Sequence, residues 1–266
     1  MNHVNTRPTV ADIRALKGKR TLTMLFVETP DEAAAAAAAG IDILSIIAPL
    51  WTPEMREAAG ACFVQVGLLY GDLVTAEDYL RAAFRARAIG GDCYYCAGSI
   101  STIRAMADEG LPVVGHVGLI PSKATWTGGF KAVGKTAESA LAVWRQVQAL
   151  ENAGAFGAEL EVVPGRVGAA ISRCTSLIML GMGAGAGTDA QYLFAEDVLG
   201  HGRNRVPRHA RTYRNFAAEF ARLQTERIAA FTEFAADVAS GQYPAENHVV
   251  PIDDDEFAAF QAALSA

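Results

Sequence analysis

Strand-like and helix-like segments alternate along most of this chain with short connections, a pattern that predicts parallel β/α units. About eight strand segments fall within roughly 180 residues, which favours a closed (β/α)8 TIM-type barrel over an open doubly wound sheet. No Pro/Ser-rich linker divides the repeat. Residues 1–266 therefore read as a single α/β barrel domain with a C-terminal amphipathic helical segment from about 208.

The elements follow in order. The run 21–27 predicts the first strand, and the alanine-rich stretch 30–39, punctuated by Gly40, the first helix. Residues 41–47 predict a strand, 53–59 a short helix and 62–69 a third strand. Thr75 stands as N-cap of a helix to residue 89, with Asp78 three residues on in the capping-box position. The alternation continues with strand 92–97, helix 101–109, strand 112–117 and helix 136–153. Strand 158–163, helix 166–173 and strand 176–181 complete it. Residues 216–240 carry Phe216, Phe220, Leu223, Ile228, Phe231, Phe234 and Val238 at helical spacing. They predict a long amphipathic helix whose apolar face serves packing or an oligomer surface.

Composition narrows the function classes. A 51% hydrophobic content is that of a globular chain rather than a disordered one. The net charge of -6 argues against nucleic acid or an anionic membrane as partner. The start, Met1-Asn2-His3-Val4-Asn5, lacks the apolar core of a signal peptide, and no segment has the roughly 18 apolar residues of a membrane span, so a cytoplasmic location is expected. Four cysteines (Cys62, Cys93, Cys96, Cys174) do not make a disulfide framework in a chain this long. Cys93 and Cys96 spell CxxC without a second ligand pair, and on a strand they point to opposite faces; buried structural cysteines are expected.

Catalytic groups of such a barrel sit at the C-terminal ends of strands. The segment Pro112-Val113-Val114-Gly115-His116 ends an apolar strand in an imidazole, and Leu160-Glu161-Val162-Val163-Pro164 ends another in a carboxylate. Between them lies the glycine-rich loop 128–136, read as mobile. An imidazole and a carboxylate around such a loop suit proton abstraction beside a carbonyl. Glu159 lies two residues before Glu161, so both project to one face. Together they can hold a metal, raise one pKa toward that of a general base, or pair with lysine or arginine. The run Gly181-Met182-Gly183-Ala184-Gly185-Ala186-Gly187 lacks the Lys-Ser/Thr of a Walker loop and predicts close backbone approach at the barrel mouth.

These segments together resemble the ketopantoate hydroxymethyltransferase (3-methyl-2-oxobutanoate hydroxymethyltransferase) family of the phosphoenolpyruvate mutase/isocitrate lyase superfamily. The likeness runs from Thr9-Val10-Ala11-Asp12-Ile13-Arg14 through Gly115-His116-Val117-Gly118-Leu119-Ile120-Pro121, the loop 128–136, Leu160 to Pro164 and Gly183-Ala184-Gly185. It continues in Ala195-Glu196-Asp197-Val198-Leu199-Gly200 and Ser240-Gly241-Gln242-Tyr243-Pro244. The resemblance implies a (β/α)8 enzyme, a homo-oligomer (a decamer in the family), acting in pantothenate biosynthesis. It implies that a 2-oxo acid is deprotonated at C3 and its enolate takes a hydroxymethyl group from 5,10-methylenetetrahydrofolate, with Mg2+ on carboxylates at three strand ends. By the same carry-over Glu161 is the base and His116 a substrate contact, with Glu159, Tyr95, Lys123 and Lys131 as further substrate-binding candidates.

The family's metal ligands do not carry over. Their places fall near Ala48, Val66 and Ala97, none of which is a carboxylate, and the connection from Pro49 to Cys62 is shorter than the family's. That makes Mg2+ doubtful unless a site is rebuilt from Glu159, Glu161 and His116, with Glu28 or Asp72 as added ligands. Otherwise the oxyanion needs another electrophile: His116 as imidazolium, Lys123, Lys131, Tyr94 or Tyr95. Two other functions stay open, a carbon–carbon bond lyase or decarboxylase on another 2-oxo or dicarboxylic acid, and a non-catalytic homologue.

Overall fold

A computed structural model describes residues 7–202 and 205–265. The N-terminal residues 1–5, read above for a leader, lie outside the described residues. Helix α1 (Val10–Leu16) precedes the barrel. The repeat then runs β1 (Leu22–Phe26), α2 (Pro30–Ala38), β2 (Ile43–Ile47), α3 (Pro53–Ala58), β3 (Phe63–Gly67), α4 (Ala76–Ile89), β4 (Cys93–Tyr95) and α5 (Ile100–Asp108). It continues with β5 (Val113–Gly118), the short α6 (Ala124–Thr127), α7 (Ala137–Asn152), β6 (Gly157–Glu161), α8 (Gly165–Cys174), β7 (Ile178–Met182), β8 (Ala190–Phe194) and α9 (Ala195–Leu199). The strands are parallel and hydrogen-bond in sequence order, and β8 closes on β1. The expected (β/α)8 barrel is the fold.

Strand alternation sorts side chains into two layers. On β6, Ala158 and Leu160 join the outer layer beneath the helices, while Glu159 and Glu161 take the inward positions. The same parity divides the CxxC pair: Cys93 belongs to the inner cluster and Cys96 to the outer one. Ile13 of α1 joins the inner cluster with Met24, Phe63 and Phe156, so α1 packs on the residues that fill the barrel. The cysteines are free; Cys62, Cys93 and Cys96 are buried as expected, whereas Cys174, at the last position of α8, is exposed.

The helices begin where the sequence provides caps. Thr9, Thr29, Thr52, Thr75 and Thr136 each accept the backbone N–H three residues on, opening α1, α2, α3, α4 and α7. The capping box expected at Thr75 and Asp78 is formed. Strand β8 follows β7 after a loop with no intervening helix, which is why the alternation named only seven of the strands.

The N-terminal ends of the strands are tied by two aspartates, Asp189, which is buried, and Asp42, which is half-buried. Asp189 is the main one: its Oδ2 accepts from Lys17 Nζ at 2.5 Å, Met179 N at 2.8 Å and Ser172 Oγ at 2.9 Å. Its carbonyl accepts Leu22 N at 2.8 Å. One side chain thus joins the segment after α1 to β7 and α8, and its backbone joins β1. Asp42 does the same between β1 and β2 through Arg20 and Thr23.

The described residues fall into two compact units, one running to Arg214 and containing the barrel, the other starting at Asn215. The second contains α10 (Phe216–Ser240), as expected from its periodicity, and α11 (Asp254–Leu264). Ile228, Phe231, Phe234 and Val238 of α10 are exposed in the single chain. Among the described residues no helix is long and apolar enough to cross a membrane.

Replacing Asp189 with alanine removes the acceptor from a half-buried lysine and from a buried backbone N–H. Asp189→Ala is expected to destabilise the barrel by about 3–5 kcal/mol. Urea unfolding checks this, and a loss below about 1 kcal/mol would contradict the assigned role.

Candidate active site at the mouth of the barrel

The C-terminal ends of the strands open into a cavity of about 1390 Å³. Its floor is a chain of buried polar groups on β2 to β6. His116 of β5 lies opposite Glu159 of β6 in the sheet register, and Gly118 lies opposite Glu161. His116 Nε2 is 3.1 Å from Glu161 Oε2, and Nδ1 is 3.7 Å from Glu159 Oε2. Nδ1 also lies 2.8 Å from the Tyr95 hydroxyl. Gln65 Nε2 donates to Glu159 Oε1 at 2.7 Å and to Ser45 Oγ at 3.3 Å. The three charged residues are between 6% and 9% exposed, so water does not screen them.

Burial sets the protonation chemistry. It pushes the Glu159 carboxyl up to about 7, against the opposing pull of His116 and Gln65, with the nearby charge of Glu161 adding to the rise. Burial pushes the Tyr95 phenol far above its ordinary value, and the negative charges of Glu159 and Glu161 add to that, so Tyr95 stays protonated. Two floor atoms have no aligned hydrogen-bond partner: Gln65 Oε1 and His116 Nε2. The Nε2 contact with Glu161 is close enough for ion pairing but is not a well-aligned hydrogen bond.

Backbone geometry holds Glu161 in place. Val162 has φ +48°, the left-handed region, which a β-branched residue rarely adopts. Its N–H donates to Met182 O at 2.8 Å, and its carbonyl accepts from Val133 N at 3.1 Å. The Glu161 carbonyl accepts from Leu119 N at 2.9 Å. Gly118 makes that approach possible, since a Cβ there would lie 2.4 Å from the Glu161 carbonyl oxygen.

The walls differ from the floor. Phe26, Ile47, Met182 and Phe194 supply an apolar side, and Lys131, Lys135, Arg205 and Arg208 a cationic rim. Of the expected substrate-binding residues, Glu159, Tyr95 and Lys131 line the cavity. Lys123 does not; its Nζ donates to Ala97 O at 3.1 Å and sits 5.5 Å over the Tyr70 ring. Tyr94 points away from the cavity and donates to Gly91 O at 2.8 Å. Glu28 and Asp72 are exposed and are not cavity-lining residues. Among the described residues no lysine or arginine pairs with Glu159 or Glu161; His116 and Gln65 take that place.

The residues present do not fit the divalent cation that the resemblance implies. On the three expected strands and just past their ends the cavity is lined by Ser45, Ile47, Gly67, Tyr95 and Ala97, with Ala48 just beyond β2, and none of these is a carboxylate. Val66 faces the outer layer, so Gly67 holds the inward place on β3. Among the described residues no three His, Cys, Asp or Glu side chains form a metal-ligand cluster. In the trio Glu159, His116 and Glu161, the imidazole lies between the carboxylates as their common partner, not beside them as a third ligand.

The glycine run after β7 makes close backbone contacts. A Cβ on Gly183 would meet the His209 ring at 3.0 Å, and one on Gly185 would meet Gly165 Cα at 2.7 Å. Gly183 is therefore at the mouth as expected, whereas Gly185 seats the loop against α8. Sequence reasoning missed Gln65, Arg205 and Arg208. A lone amide in the apolar strand Phe63-Val64-Gln65-Val66 was a readable signal; the two arginines lie in a segment without periodicity.

Residues 62–246 match the family model described as ketopantoate hydroxymethyltransferase. A 3-methyl-2-oxobutanoate hydroxymethyltransferase from Nitratidesulfovibrio vulgaris is 32% identical over 281 residues, covering 96% of this chain and 89% of that protein. One from Thermus thermophilus is 33% identical over 266 residues, covering 91% and 99%. Among solved structures, 2,3-dimethylmalate lyase, a member of the PEP mutase/isocitrate lyase superfamily, superposes with a TM-score of 0.50 at 14% identity, covering 96% of this chain and 100% of its own. The 3-dehydroquinate dehydratase from Geobacillus kaustophilus gives 0.52 at 13% identity, covering 78% and 93%. Both structures share the fold.

Two outcomes follow from the site. Val162→Gly relieves a left-handed valine and is expected to leave the melting temperature unchanged or raised, whereas Val117→Gly in the regular part of β5 lowers it by several degrees. Thermal denaturation of the pair checks this. For Glu159, the folded-state pKa lies above the unfolded value of 4.5, so its contribution to stability is full below about 4.5 and is lost as pH rises through about 7. Glu159→Gln should therefore gain stability relative to the parent as pH rises from about 4.5 to about 7, the window between those two pKa values. Urea midpoints at several pH values would reveal a flat difference if the carboxylate were not desolvated.

Proposed function

Because this chain belongs to the ketopantoate hydroxymethyltransferase family, we propose that its barrel mouth turns 3-methyl-2-oxobutanoate into its enolate and adds a hydroxymethyl group to C3. It is a hydroxymethyltransferase-like enzyme of the pantothenate type. The observation that carries the residue-level reading is the buried pair of Glu161 and His116 at adjacent strand ends, facing the cavity across 3.1 Å.

Each part of the cavity has a role in this reading. Glu161 takes the C3 proton, because its carboxylate stands at the floor and its backbone is fixed on both flanks. The apolar wall of Phe26, Ile47 and Phe194 receives the branched alkyl group. Lys131 and the rim arginines hold the carboxylate of the oxo acid. The cavity, about 1390 Å³, exceeds the roughly 300–1,000 Å³ typical of one drug-sized ligand. That room suits a second, larger reactant, 5,10-methylenetetrahydrofolate, whose glutamate carboxylates suit the same cationic rim. The reaction balances with water: oxo acid, methylene donor and water give the hydroxymethyl oxo acid and tetrahydrofolate. A homo-oligomer belongs to the same reading, and the exposed apolar face of α10 is a surface such an assembly would cover.

Incubating the protein with 3-methyl-2-oxobutanoate and 5,10-methylenetetrahydrofolate should yield the hydroxymethylated acid, detected by mass spectrometry. Glu161→Gln is expected to lower kcat about 10²–10⁴-fold with KM little changed. Retro-aldol cleavage of other 2-oxo acids, with no hydroxymethyl product, would make the protein a lyase instead.

A further inference from the structure

The enolate reading leaves one question that the residues of this chain answer differently from the family pattern: what receives the negative charge on the oxo oxygen. At the ends of β2, β3 and β4 the mouth offers Ser45, Ile47, Gly67, Tyr95 and Ala97, with no carboxylate among them to hold a cation. With Lys131 and the rim arginines on the substrate carboxylate, the donor nearest Glu161 is at the floor.

His116 has the required hydrogen. The Tyr95 phenol is protonated, and its hydroxyl lies 2.8 Å from His116 Nδ1. If that hydroxyl donates, Nδ1 is the acceptor and a neutral ring carries its proton on Nε2. An imidazolium carries a proton on Nε2 as well. The remaining tautomer would direct an Nε2 lone pair at the Glu161 carboxylate 3.1 Å away, which is repulsive. Both favourable states thus present an Nε2–H at the cavity floor. That nitrogen is buried without an aligned partner, as an oxyanion donor should be before substrate arrives. Beneath it, Glu159 is held by Gln65, with its Oε2 3.7 Å from Nδ1.

We infer that His116, oriented by Tyr95 and Glu159, takes the place of a metal in this chain by donating its Nε2–H to the oxo oxygen, so that enolisation needs no divalent cation. This rests on the enolate reading above. In the step, Glu161 accepts the C3 proton and the C3–H electron pair becomes the C2–C3 π bond. The former carbonyl π pair moves onto oxygen, which the Nε2–H stabilises without leaving the ring. The same hydrogen faces Glu161 before substrate binds; once the oxo oxygen engages it, Glu161 loses that interaction and becomes the stronger base. His116 is then a catalytic residue, and Tyr95 and Glu159 are positioning residues.

The test is C3 proton–deuterium exchange into 3-methyl-2-oxobutanoate, followed by NMR, with full-length protein dialysed against a chelator until elemental analysis detects no metal. The exchange rate should be unchanged by residual chelator or by added Mg2+, Mn2+ or Zn2+. His116→Ala should lower it about 10²–10³-fold, and His116→Gln, which keeps an N–H donor, should recover part of that loss. Tyr95→Phe should lower kcat for exchange about 10-fold at unchanged KM, as expected for a group that orients a functional imidazole. Exchange that vanishes on chelation and returns with a divalent ion overturns this inference and leaves the enolate reading intact. A His116→Ala protein that exchanges at the parent rate also overturns it. Exchange absent with and without metal overturns both.

Discussion

Two carboxylates on one strand, removed from water with a single imidazole between them, are the constraint around which the mouth of this barrel is built. Glu159 and Glu161 project inward because β6 alternates, and among the described residues it is His116 that contacts both. Two buried negative charges sharing so little compensation would be costly if both were fully ionised. The structure lowers the cost with directed polar contacts. Gln65 donates to one carboxylate and Tyr95 fixes the orientation of the ring. The elevated pKa of Glu159, about 7, is the residue of that imbalance: the site carries a proton that is easily moved near neutrality.

Precision at Glu161 is then a backbone matter. Gly118 on the neighbouring strand lets the two strands approach, and Val162, directly after Glu161, adopts a left-handed conformation. Strain of this kind persists only when the surroundings over-determine it. Here the hydrogen bonds to Met182 and Val133 do so. The opposite end of the barrel has no such tension. There Asp189 and Asp42 satisfy lysine, arginine, hydroxyl and backbone donors, so charge at the bottom ties strands together while charge at the top is left under-compensated. Stability and chemistry occupy different ends of the same strands, as parallel barrels permit.

Much of this was legible in the sequence because it depends on local pattern. Apolar runs, helical periodicity and the Thr75 cap marked seven strands and the helices between them; β8 escaped because no helix separates it from β7. The pair His116 and Glu161 was legible because a charged group at the end of an apolar strand is conspicuous. Parity was harder. Assigning a lost ligand to Val66 rather than Gly67 is a slip of one residue, and on a strand that exchanges the core face for the cavity face. Lys123 and Lys131 look equivalent along the loop, and only the fold commits one to the Ala97 carbonyl and leaves the other at the cavity. Gln65 is conspicuous as a lone amide in an apolar strand, but its partner Glu159 lies 94 positions away, so its role is legible only in the fold.

The absent ligands and the added glutamate form one charge argument. Removing a single carboxylate from a metal site leaves a cation short of compensation, and removing the metal alone leaves carboxylates repelling one another. Replacing all the ligands by Ile47, Gly67 and Ala97 avoids both, since it takes the negative charges and the need for the cation away together. What then has to be supplied is a donor for the oxyanion and a counter-charge that keeps that donor oriented. His116 supplies the first. Glu159 supplies the second through a carboxylate 3.7 Å from the ring. A glutamate in that place would be a liability beside a carboxylate-bound cation's own ligands, but beside a lone imidazole it is the partner that the ring needs.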